Sequence, residues 1–286
     1  MQETSLQKPL FGAEIFISVY DLQEEKARQI LDEAYLEALR LEKIFNFYDP
    51  NSELSILNAQ RKKQVSKELL EVLKKAVAFS KATNGEYDIS LGKNFSRRKN
   101  KEHLLPIHCS YKDIEIKERE VMLNNSDVLI DLGSIAKGYI ADKVIEFLEK
   151  NGVRECFVDA RGDMRVLGDY AHAIEVQHPR NAEEKVCTIQ LRNNAVATSG
   201  DYRQYDGNFS KSHILNQKEI ASLTVIAPTL ADADVYATAL FVCGEKEREK
   251  LMEKNKEIGV LIIQKNGQMQ KYNGFEERVQ GEEHEI

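Results

Sequence analysis

The sequence predicts an α+β fold in which helices pack on a mixed, mostly antiparallel sheet. The first half carries apolar residues at helical spacing, most clearly between Ala27 and Phe45. The second half, from Cys156 onward, is a series of short apolar segments separated by turn residues, which is typical of strands. Neither an internal repeat nor a linker rich in Pro or Gly divides the 286 residues, so we expect a single domain over residues 1–286.

The first predicted elements are a strand and a long helix. Apolar residues alternate between Glu14 and Tyr20, which predicts the strand. Asp21 follows as the expected helix cap, and Glu24 stands three residues later, as a capping box requires. One face of the helix then carries a stripe that we expect to face the core, formed by Ala27, Leu31, Ala34, Ala38, Leu41 and Phe45.

A turn-rich loop and a second helix follow. Residues 48–54 contain Asp, Pro, Asn and Ser and are predicted to end the long helix in a loop. The next helix is expected from about Ser66 to Thr83, where Asn84 and Gly85 stop it. The basic residues 93–110 favour an irregular, solvated loop.

The remaining elements are mostly strands. Residues 111–128 indicate short strands and turns, and a helix is expected from the region of Ala136 to about Lys150. A second helix is predicted over 229–243, and the tail from about Phe275 to the end is acidic and expected to be frayed. Strands are predicted at 156–159, 164–167, 173–177, 186–191, 195–198, 222–227 and 258–264.

Composition excludes several classes of protein. The net charge is −7 and no basic block dominates, which argues against nucleic-acid binding. The four cysteines are scattered, without a Cys-x-x-Cys pair, so neither a zinc site nor a disulfide framework is expected. No run of about 18 apolar residues could span a membrane. Residues 1–8 are polar and lack a signal core, so the chain as written is expected to be soluble, with a trimmed leader left open and the compartment unassigned.

The stretch from Val128 to Gly138 (VLIDLGSIAKG) is a candidate anion site. An apolar run ends in Asp131, a Gly-Ser turn follows, and a helix then begins with Lys137 in its first turn. The free N–H groups of a helix start, its dipole and a lysine together favour an anion. A strand–turn–helix joint that binds nothing is the alternative. A Walker P-loop is excluded because the lysine precedes the second glycine.

Two further stretches carry candidate chemistry. Asp234 and Thr238 lie four residues apart on a predicted helix and share a face, where their hard oxygens suit Mg²⁺. The alternative is an acid that favours the helix dipole and a hydroxyl bonded to a backbone carbonyl. In the segment 212–215, His213 is a candidate for acid–base work, although a buried histidine that only satisfies a hydrogen bond stays open.

The order of these stretches resembles the FAD:protein FMN transferases, the ApbE-type flavin transferases, over nearly the whole chain. The segments DLGSIAKGY and ADVYATALFVCG carry the most specific part of the resemblance. The matching segments are Tyr48 to Asn58 (YDPNSELSILN), Asn84 to Gly92 (NGEYDISLG), Asp131 to Tyr139, Gly162-Asp163, Ala197 to Tyr202 (ATSGDY), Ser212 to Leu215 (SHIL) and Ala233 to Gly244.

The resemblance implies a flavin cleft between two intimately joined lobes, with FAD as substrate and Mg²⁺ on its diphosphate. It implies that Asp131 and Lys137 contact FAD. It also implies a metal held by the backbone carbonyl of Ser134 and the side chains of Asp234 and Thr238. The residues expected to line the flavin side are Phe11, Tyr48, Glu86, Tyr87 and Asp88.

The expected reaction transfers the FMN moiety of FAD to a Thr or Ser hydroxyl of an acceptor flavoprotein, such as a redox-complex subunit or a reductase, and releases AMP. His213 is the candidate that deprotonates or positions the acceptor hydroxyl. Three alternatives stay open: a Mg²⁺-dependent FAD pyrophosphatase that gives FMN and AMP, an FAD-binding protein without chemistry, and an interaction domain.

Two departures from the family pattern bear on these alternatives. The chain continues from Leu215 into Asn216-Gln217-Lys218-Glu219, where the family usually has Asp-Pro-x-Thr-Gly, and this favours hydrolysis or binding more than in a standard member. Arg161 stands in the usual Gly-Gly-Asp turn, where its side chain would clash with the adenine side or add charge there.

Overall fold

The fold is built from strands and helices that alternate along the chain. The computed structural model describes residues 3–100, 102–201 and 219–280. Within these residues the strands are β1 (Thr4–Leu10), β2 (Ala13–Val19), β3 (Lys62–Gln64), β4 (Ile114–Lys117), β5 (Glu120–Leu123), β6 (Cys156–Asp159), β7 (Met164–Leu167), β8 (His172–Gln177), β9 (Lys185–Leu191), β10 (Ala195–Gly200), β11 (Ile220–Ala227), β12 (Gly259–Gln264), β13 (Met269–Tyr272) and β14 (Val279–Gln280). The helices are α1 (Glu24–Phe45), α2 (Glu53–Gln60), α3 (Lys67–Ala82), α4 (Gly92–Lys99), α5 (Ala136–Lys150), α6 (Leu230–Val242) and α7 (Glu245–Lys254).

An eight-stranded sheet forms the centre of the fold. Its strands follow the order β1-β2-β6-β7-β10-β11-β12-β13, and each neighbouring pair is antiparallel. Every residue of β11 is buried, because both faces of the sheet are covered at this strand. The α+β class with a mostly antiparallel sheet is therefore confirmed, whereas the expected two-lobe arrangement stays a prediction.

Helices cover one face of this sheet and a smaller sheet covers part of the other. The predicted stripe of α1 is buried from Ala27 to Phe45 and packs with α5. Helix α5 also contacts α6, which lies on β10 and β11. On the opposite face, a sheet in the order β14-β9-β8 packs its apolar side chains against β7, β10, β11 and β12.

Several elements differ from the sequence expectation. Strand β1 occupies the polar N-terminal segment, since its backbone pairs with β2 over its whole length while only its two end residues, Thr4 and Leu10, are buried. Helix α1 begins after Gln23 without a side-chain cap, and Asp21 accepts a hydrogen bond from the N–H of Arg154 instead. Helix α4 lies in the segment predicted as a loop, and helix α2 falls within the turn-rich region, where Ser52 caps it.

The tail expected to be frayed from Phe275 is ordered at its start. The Phe275 side chain is fully buried in the smaller core, a 3₁₀ turn follows at Glu276–Arg278, and β14 pairs with β9. One buried aromatic side chain is enough to fix this segment, because it gains the full burial of its ring. Residues 281–286 lie outside the described residues.

The apolar run before the helix start is not a regular strand. Leu129 and Asp131 donate backbone hydrogen bonds to Ser90 and Ile89, and one parallel bridge joins Leu129 to Leu91. The buried amide of Asn58 satisfies both backbone groups of Ile130 at 2.8 and 2.9 Å. A side chain therefore does here what a neighbouring strand does in a sheet.

Membrane-spanning helices and disulfide bonds are both absent from the described part of the chain. None of its helices combines the length and apolar character needed to cross a bilayer. All four cysteines are free thiols, and three of them are buried.

Candidate functional site

A cleft of about 480 Å³ opens where the N-terminal end of α5 and one face of α6, from Asp234 to Val242, meet the loops that follow α1 and α3. All the described residues that the sequence analysis singled out line this one cleft, although they are spread from residue 11 to residue 238. They are Phe11, Tyr48, Glu86, Tyr87, Asp88, Asp131, Ser134, Lys137, Asp234 and Thr238. The remaining candidate, His213, lies outside the described residues.

A close crossing of α5 and α6 positions the charged end of the cleft. A Cβ atom on Gly138 would lie 2.4 Å from the carbonyl oxygen of Leu230, so only glycine allows this approach. The carboxylate of Asp142 accepts the N–H groups of Leu230 and Ala231, each at 2.8 Å, and so joins α5 to the first turn of α6. The crossing brings Lys137 of α5 beside Asp234 of α6.

Lys137 lies between two carboxylates. Its Nζ forms an ion pair with Asp163, and it lies 3.6 Å from Oδ2 of Asp234. Burial raises the pKa of Asp234, and the positive charge of Lys137 opposes this rise. Asp163 belongs to the turn between β6 and β7, and its backbone carbonyl accepts the N–H of Ala160. This group of one ammonium and two acids forms the electrostatic centre of the cleft.

The donor set around Asp234 fits a hard divalent cation. Oδ2 of Asp234 is buried and has no hydrogen-bond partner among the described residues. Thr238 follows one turn later on α6, and its hydroxyl contacts the Ser199 hydroxyl at 3.2 Å. The Ser134 hydroxyl contacts the Tyr87 hydroxyl at 2.8 Å, and the backbone carbonyl of Ser134 is the group that the family resemblance implies for a metal. Oxygen donors of this kind suit Mg²⁺, which keeps sites for phosphate and water.

No all-protein cage for a metal exists in the described residues, since no three His, Cys, Asp or Glu side chains cluster in the way a metal requires. A site built from one carboxylate, one hydroxyl and one carbonyl is incomplete without further ligands. Phosphate oxygens of a bound substrate are the ligands that complete magnesium sites of this type.

Glu42 of α1 stabilises one edge of the cleft, which is formed by Phe11 and Tyr48 and is called the aromatic edge. Its Oε1 accepts the backbone N–H of Phe11 at 2.8 Å and the side-chain amide of Asn46 at 3.2 Å. Oδ1 of Asn46 accepts the backbone N–H of Tyr48 at 3.0 Å. Phe11 has a positive φ of 52° in the β1–β2 turn, so this carboxylate stabilises a backbone conformation that a phenylalanine rarely adopts. Tyr48 lies at the same edge and is exposed, and its ring meets that of Phe47 edge-on at 5.2 Å.

The segment 86–88 lines the cleft, but two of its acids have partners elsewhere. Oε2 of Glu86 accepts the backbone N–H of Gly244. The Asp88 oxygens accept the N–H groups of Ser90 and Tyr111, both at 2.9 Å. Asp88 is therefore placed to shape its loop, whereas Tyr87 presents its hydroxyl to Ser134 within the cleft.

Asp131 lies at the mouth of the cleft, just before α5. Its Oδ1 accepts the N–H of Gly133 at 2.7 Å, which closes a short turn. This turn leads directly into the first turn of α5, whose residues Ala136 and Lys137 line the cleft.

Acids outnumber cations on the described lining of the cleft. An anionic ligand would be repelled by this surface unless a cation accompanied it. The acids are Glu86, Asp88, Asp131, Asp163 and Asp234, and the cations are Lys137 and Arg161.

Some lining residues were not identified from the sequence as part of the site. Asp163 was seen only as part of a motif, and no spacing rule connects it to Lys137, 26 residues earlier. The sequence feature that could have indicated Asp163 is the Arg161-Gly162 turn directly before it, since a turn at a strand end often carries functional residues. The segment after the predicted strand at 195–198 was, by contrast, expected to approach a ligand through its small hydroxylated residues. The strand β10 extends to Gly200, and Thr198 and Ser199 line the cleft.

Comparison with known proteins identifies the family of the chain. A model of the ApbE family matches residues 11–262. The FAD:protein FMN transferase of Haemophilus influenzae is 29% identical over 80% of this chain and 75% of its own length. The enzyme of the same name from Treponema pallidum is 24% identical over 98% of this chain and 89% of its own.

Solved structures share the fold. The ApbE protein of Thermotoga maritima superposes with a TM-score of 0.85 at 27% identity, covering 98% of this chain and all of its own. The flavin transferase ApbE of Vibrio cholerae, at 22% identity, has a TM-score of 0.79 and covers 97% of this chain and 99% of its own. The second likeness, at this identity, establishes the fold alone.

Proposed function

This chain belongs to the ApbE family, and from that premise we propose that it transfers the FMN moiety of FAD to a Thr or Ser hydroxyl of an acceptor flavoprotein and releases AMP. As a family member it is a transferase enzyme. The observation that supports the proposal is the convergence on one cleft of ten residues that are spread from Phe11 to Thr238, with Lys137 between Asp163 and Asp234 at its charged end. The relatives named FAD:protein FMN transferase support FAD as the substrate.

Magnesium would be held by the Ser134 carbonyl, the Asp234 carboxylate and the Thr238 hydroxyl. Bound there, Mg²⁺ supplies the charge neutralisation that a diphosphate needs where its bond breaks. The buried Oδ2 of Asp234, which lacks a hydrogen-bond partner among the described residues, supports this assignment. The surplus of acids on the cleft supports it as well, because a diphosphate cannot enter an acidic cleft without cations.

The chain's own residues bind and orient the dinucleotide. Lys137 and the start of α5 face the diphosphate, where an ammonium group and a helix N-terminus both favour negative charge. Phe11 and Tyr48 cover the isoalloxazine ring from the edge that Glu42 holds. His213 accepts the proton of the acceptor hydroxyl, or positions that hydroxyl, for attack on the FMN-side phosphorus.

Hydrolysis of FAD to FMN and AMP in the same cleft is the second candidate. The sequence after His213 favours it, because Asn216 replaces the family's aspartate and the proline and Thr-Gly are missing. Water would then take the place of the acceptor hydroxyl at the same phosphorus. Binding without chemistry is the third candidate and uses the same contacts.

One experiment separates these candidates. The protein is incubated with FAD and Mg²⁺, with and without a flavin-accepting protein fragment, and a known flavin transferase runs alongside. We expect AMP by chromatography and a fluorescent covalent adduct of the acceptor. AMP and FMN without an adduct would favour hydrolysis, and bound FAD that stays intact would favour simple binding.

Asp234 tests the metal assignment. We expect Asp234→Asn to lower Mg²⁺-dependent turnover by about 100-fold or more, since an amide cannot supply the charge that holds the metal. The matched control is Asp232→Asn on the same helix, because Asp232 pairs with Lys75 at 2.6 Å on the side away from the cleft. Titration of activity with Mg²⁺ makes the comparison. Wild-type metal dependence in the Asp234 variant would remove this residue as a ligand.

A further inference from the structure

The turn between β6 and β7 places an arginine in an unfavourable backbone conformation. Asp159 pairs with Met164, and the N–H of Ala160 donates to the carbonyl of Asp163 at 2.8 Å, so two residues form the loop. These residues, Arg161 and Gly162, have φ values of +69° and +90°. A two-residue hairpin turn of this kind requires positive φ at both positions and strongly favours Asn or Gly at the first. A residue with a long side chain is disfavoured there.

The side chain at this strained position belongs to the cleft. Arg161 lines it together with Asp163, two residues later in the same turn. Lys137, the other cation on the described lining, already faces Asp163 and Asp234. Strain that persists at a ligand-binding edge is the kind of outlier from which a functional role is inferred.

We propose that Arg161 is a specificity-determining residue that binds a phosphate group of the dinucleotide substrate. This inference rests on the proposed function and deepens it. The planar guanidinium stays charged at any physiological pH and pairs with two phosphate oxygens at once, which a carboxylate-rich cleft needs in order to hold an anion. The strand pairing on either side of the short turn fixes the backbone from which the Arg161 side chain projects.

The proposal makes a distinction between ligands. A phosphate contact favours FAD and FMN, which carry phosphate, over riboflavin, which carries none. A contact with the ring system would instead affect all three flavins equally. FMN differs from riboflavin only in its phosphate, so these two ligands isolate a phosphate contact of Arg161. A loss confined to FAD would instead indicate a contact with its adenosine half.

The test compares Arg161→Asn with Arg192→Asn. Asparagine tolerates positive φ, so the first variant removes the charge and suits the turn. Arg192 is an exposed residue beside the β9–β10 turn and outside the cleft, and its variant makes the same change in net charge. Dissociation constants for FAD, FMN and riboflavin are measured by quenching of flavin fluorescence with Mg²⁺ present, and thermal unfolding is followed in parallel.

We expect Arg161→Asn to weaken the binding of FAD and of FMN by about tenfold, as loss of a charged hydrogen bond does, and to leave riboflavin binding within twofold. Its melting temperature should stay equal to the wild-type value or rise by about 2 °C, because the turn is relieved. Arg161→Lys should keep part of the FAD affinity. Arg192→Asn should bind all three flavins as the wild type does.

Three results would overturn the inference. Unchanged FAD affinity in Arg161→Asn would exclude a phosphate contact. Equal losses for FAD and riboflavin, or a lowered melting temperature, would show that the arginine only shapes the cleft. If the wild-type chain binds no FAD, the proposed function itself fails. If the wild type binds FAD and Arg161→Asn binds it equally well, only the inference about Arg161 fails.

Discussion

At the scale of single residues, the surroundings of Lys137 show why the cleft needs a bound cation in addition to this ammonium group. An ion pair between exposed groups contributes little to stability, but Asp234 is only 6% exposed and its charge is poorly hydrated. One ammonium group facing two carboxylates leaves a net negative charge at this point. A divalent cation on the unpartnered oxygen of Asp234 would complete the neutralisation, and Lys137 would then be available to a phosphate.

His172 gives a prediction for the pH dependence of stability. Its ring stacks on Phe157 at 5.2 Å and contacts Tyr20 and Tyr170, each at 5.3 Å. Burial lowers the pKa of His172, so the unfolded chain binds its proton at a higher pH than the folded chain does. Its contribution to stability is therefore fully present above about pH 6.5 and is lost as the pH falls below that value.

We expect the melting temperature of the wild type to fall, relative to that of His172→Gln, as the pH is lowered from 7 to 5. Glutamine does not titrate in this range, so the difference between the two melting curves isolates the histidine. An NMR titration of the ring should give a midpoint below the value of a free histidine. Parallel melting temperatures across the pH range would contradict the prediction.

Glu42 provides a test of the aromatic edge. Replacing it with alanine removes the acceptor for the N–H of Phe11 and for Asn46, and we expect stability to fall by about 1 kcal/mol. FAD affinity should fall by about three- to tenfold, because Phe11 and Tyr48 lose their common support.

Glu42→Gln keeps an acceptor oxygen and should restore most of the FAD affinity. Glu33→Ala, an exposed change on the same helix, is the control and should have no effect. Loss of stability in Glu42→Ala with wild-type FAD affinity would separate the two roles and exclude a part in binding. Fluorescence quenching and thermal unfolding supply the two measurements.

At the scale of elements, the crossing of α5 and α6 decides the geometry of the charged end. Three features act at one place: Gly138 removes the side chain, Asp142 accepts two N–H groups of α6, and Thr229 caps the same helix. Each feature lies on a different turn of the two helices. Together they set the distance between Lys137, in the first turn of α5, and Asp234, one turn into α6.

Gly138→Ala tests this crossing. Alanine is favoured in an isolated helix by about 1 kcal/mol over glycine. Here its Cβ would lie 2.4 Å from a backbone oxygen of Leu230, and overpacking costs about 1–3 kcal/mol, so we expect net destabilisation. We also expect Mg²⁺-dependent activity to fall at least tenfold, because α5 must move away from α6.

The control for this variant is Glu149→Ala, an exposed change near the end of α5, which should alter stability by less than about 0.5 kcal/mol. Denaturant unfolding and magnesium titration give the two readouts. A stabilised Gly138→Ala protein with unchanged metal dependence would show that the two helices adjust without affecting the cleft.

Elements were predicted best where one face is buried. The stripe of α1 and the alternation of β2 both follow from periodic burial, and the structure confirms them. Strand β1 and helix α4 were missed because their sequences are polar or basic, and backbone pairing or neighbouring loops stabilise them. Asn94 of α4 forms two hydrogen bonds with the backbone of Leu105. No local sequence pattern predicts this contact.

At the scale of the whole molecule, the residues that line the cleft come from segments spread over most of the chain. Its described lining runs from Phe11 to Val242 and includes residues from strand β10, four helices and five loops or turns. A ligand that contacts all of them binds only the folded state. Binding therefore stabilises the entire fold by mass action.

We expect FAD and Mg²⁺ together to raise the melting temperature more than the sum of their separate effects. At a ligand concentration 100 times the dissociation constant, the gain is about 2.7 kcal/mol, which corresponds to about 5 °C or more for a chain of this size. FAD alone should have a small effect, because the cleft is acidic. Thermal unfolding with EDTA as the control measures this, and equal shifts with and without Mg²⁺ would contradict a shared site.

The sequence by itself determined the α+β class and the buried stripes, because periodicity is a property of adjacent residues. Its local motifs and their resemblance to the ApbE family supplied the candidate residues of the cleft. It did not place Asp163 beside Lys137, Glu42 beneath Phe11, or the α6 start against Gly138. Only the tertiary structure decided these contacts, since they join residues 26 to 92 positions apart. Such contacts depend on how the sheet and helices pack, and no short-range pattern records that packing.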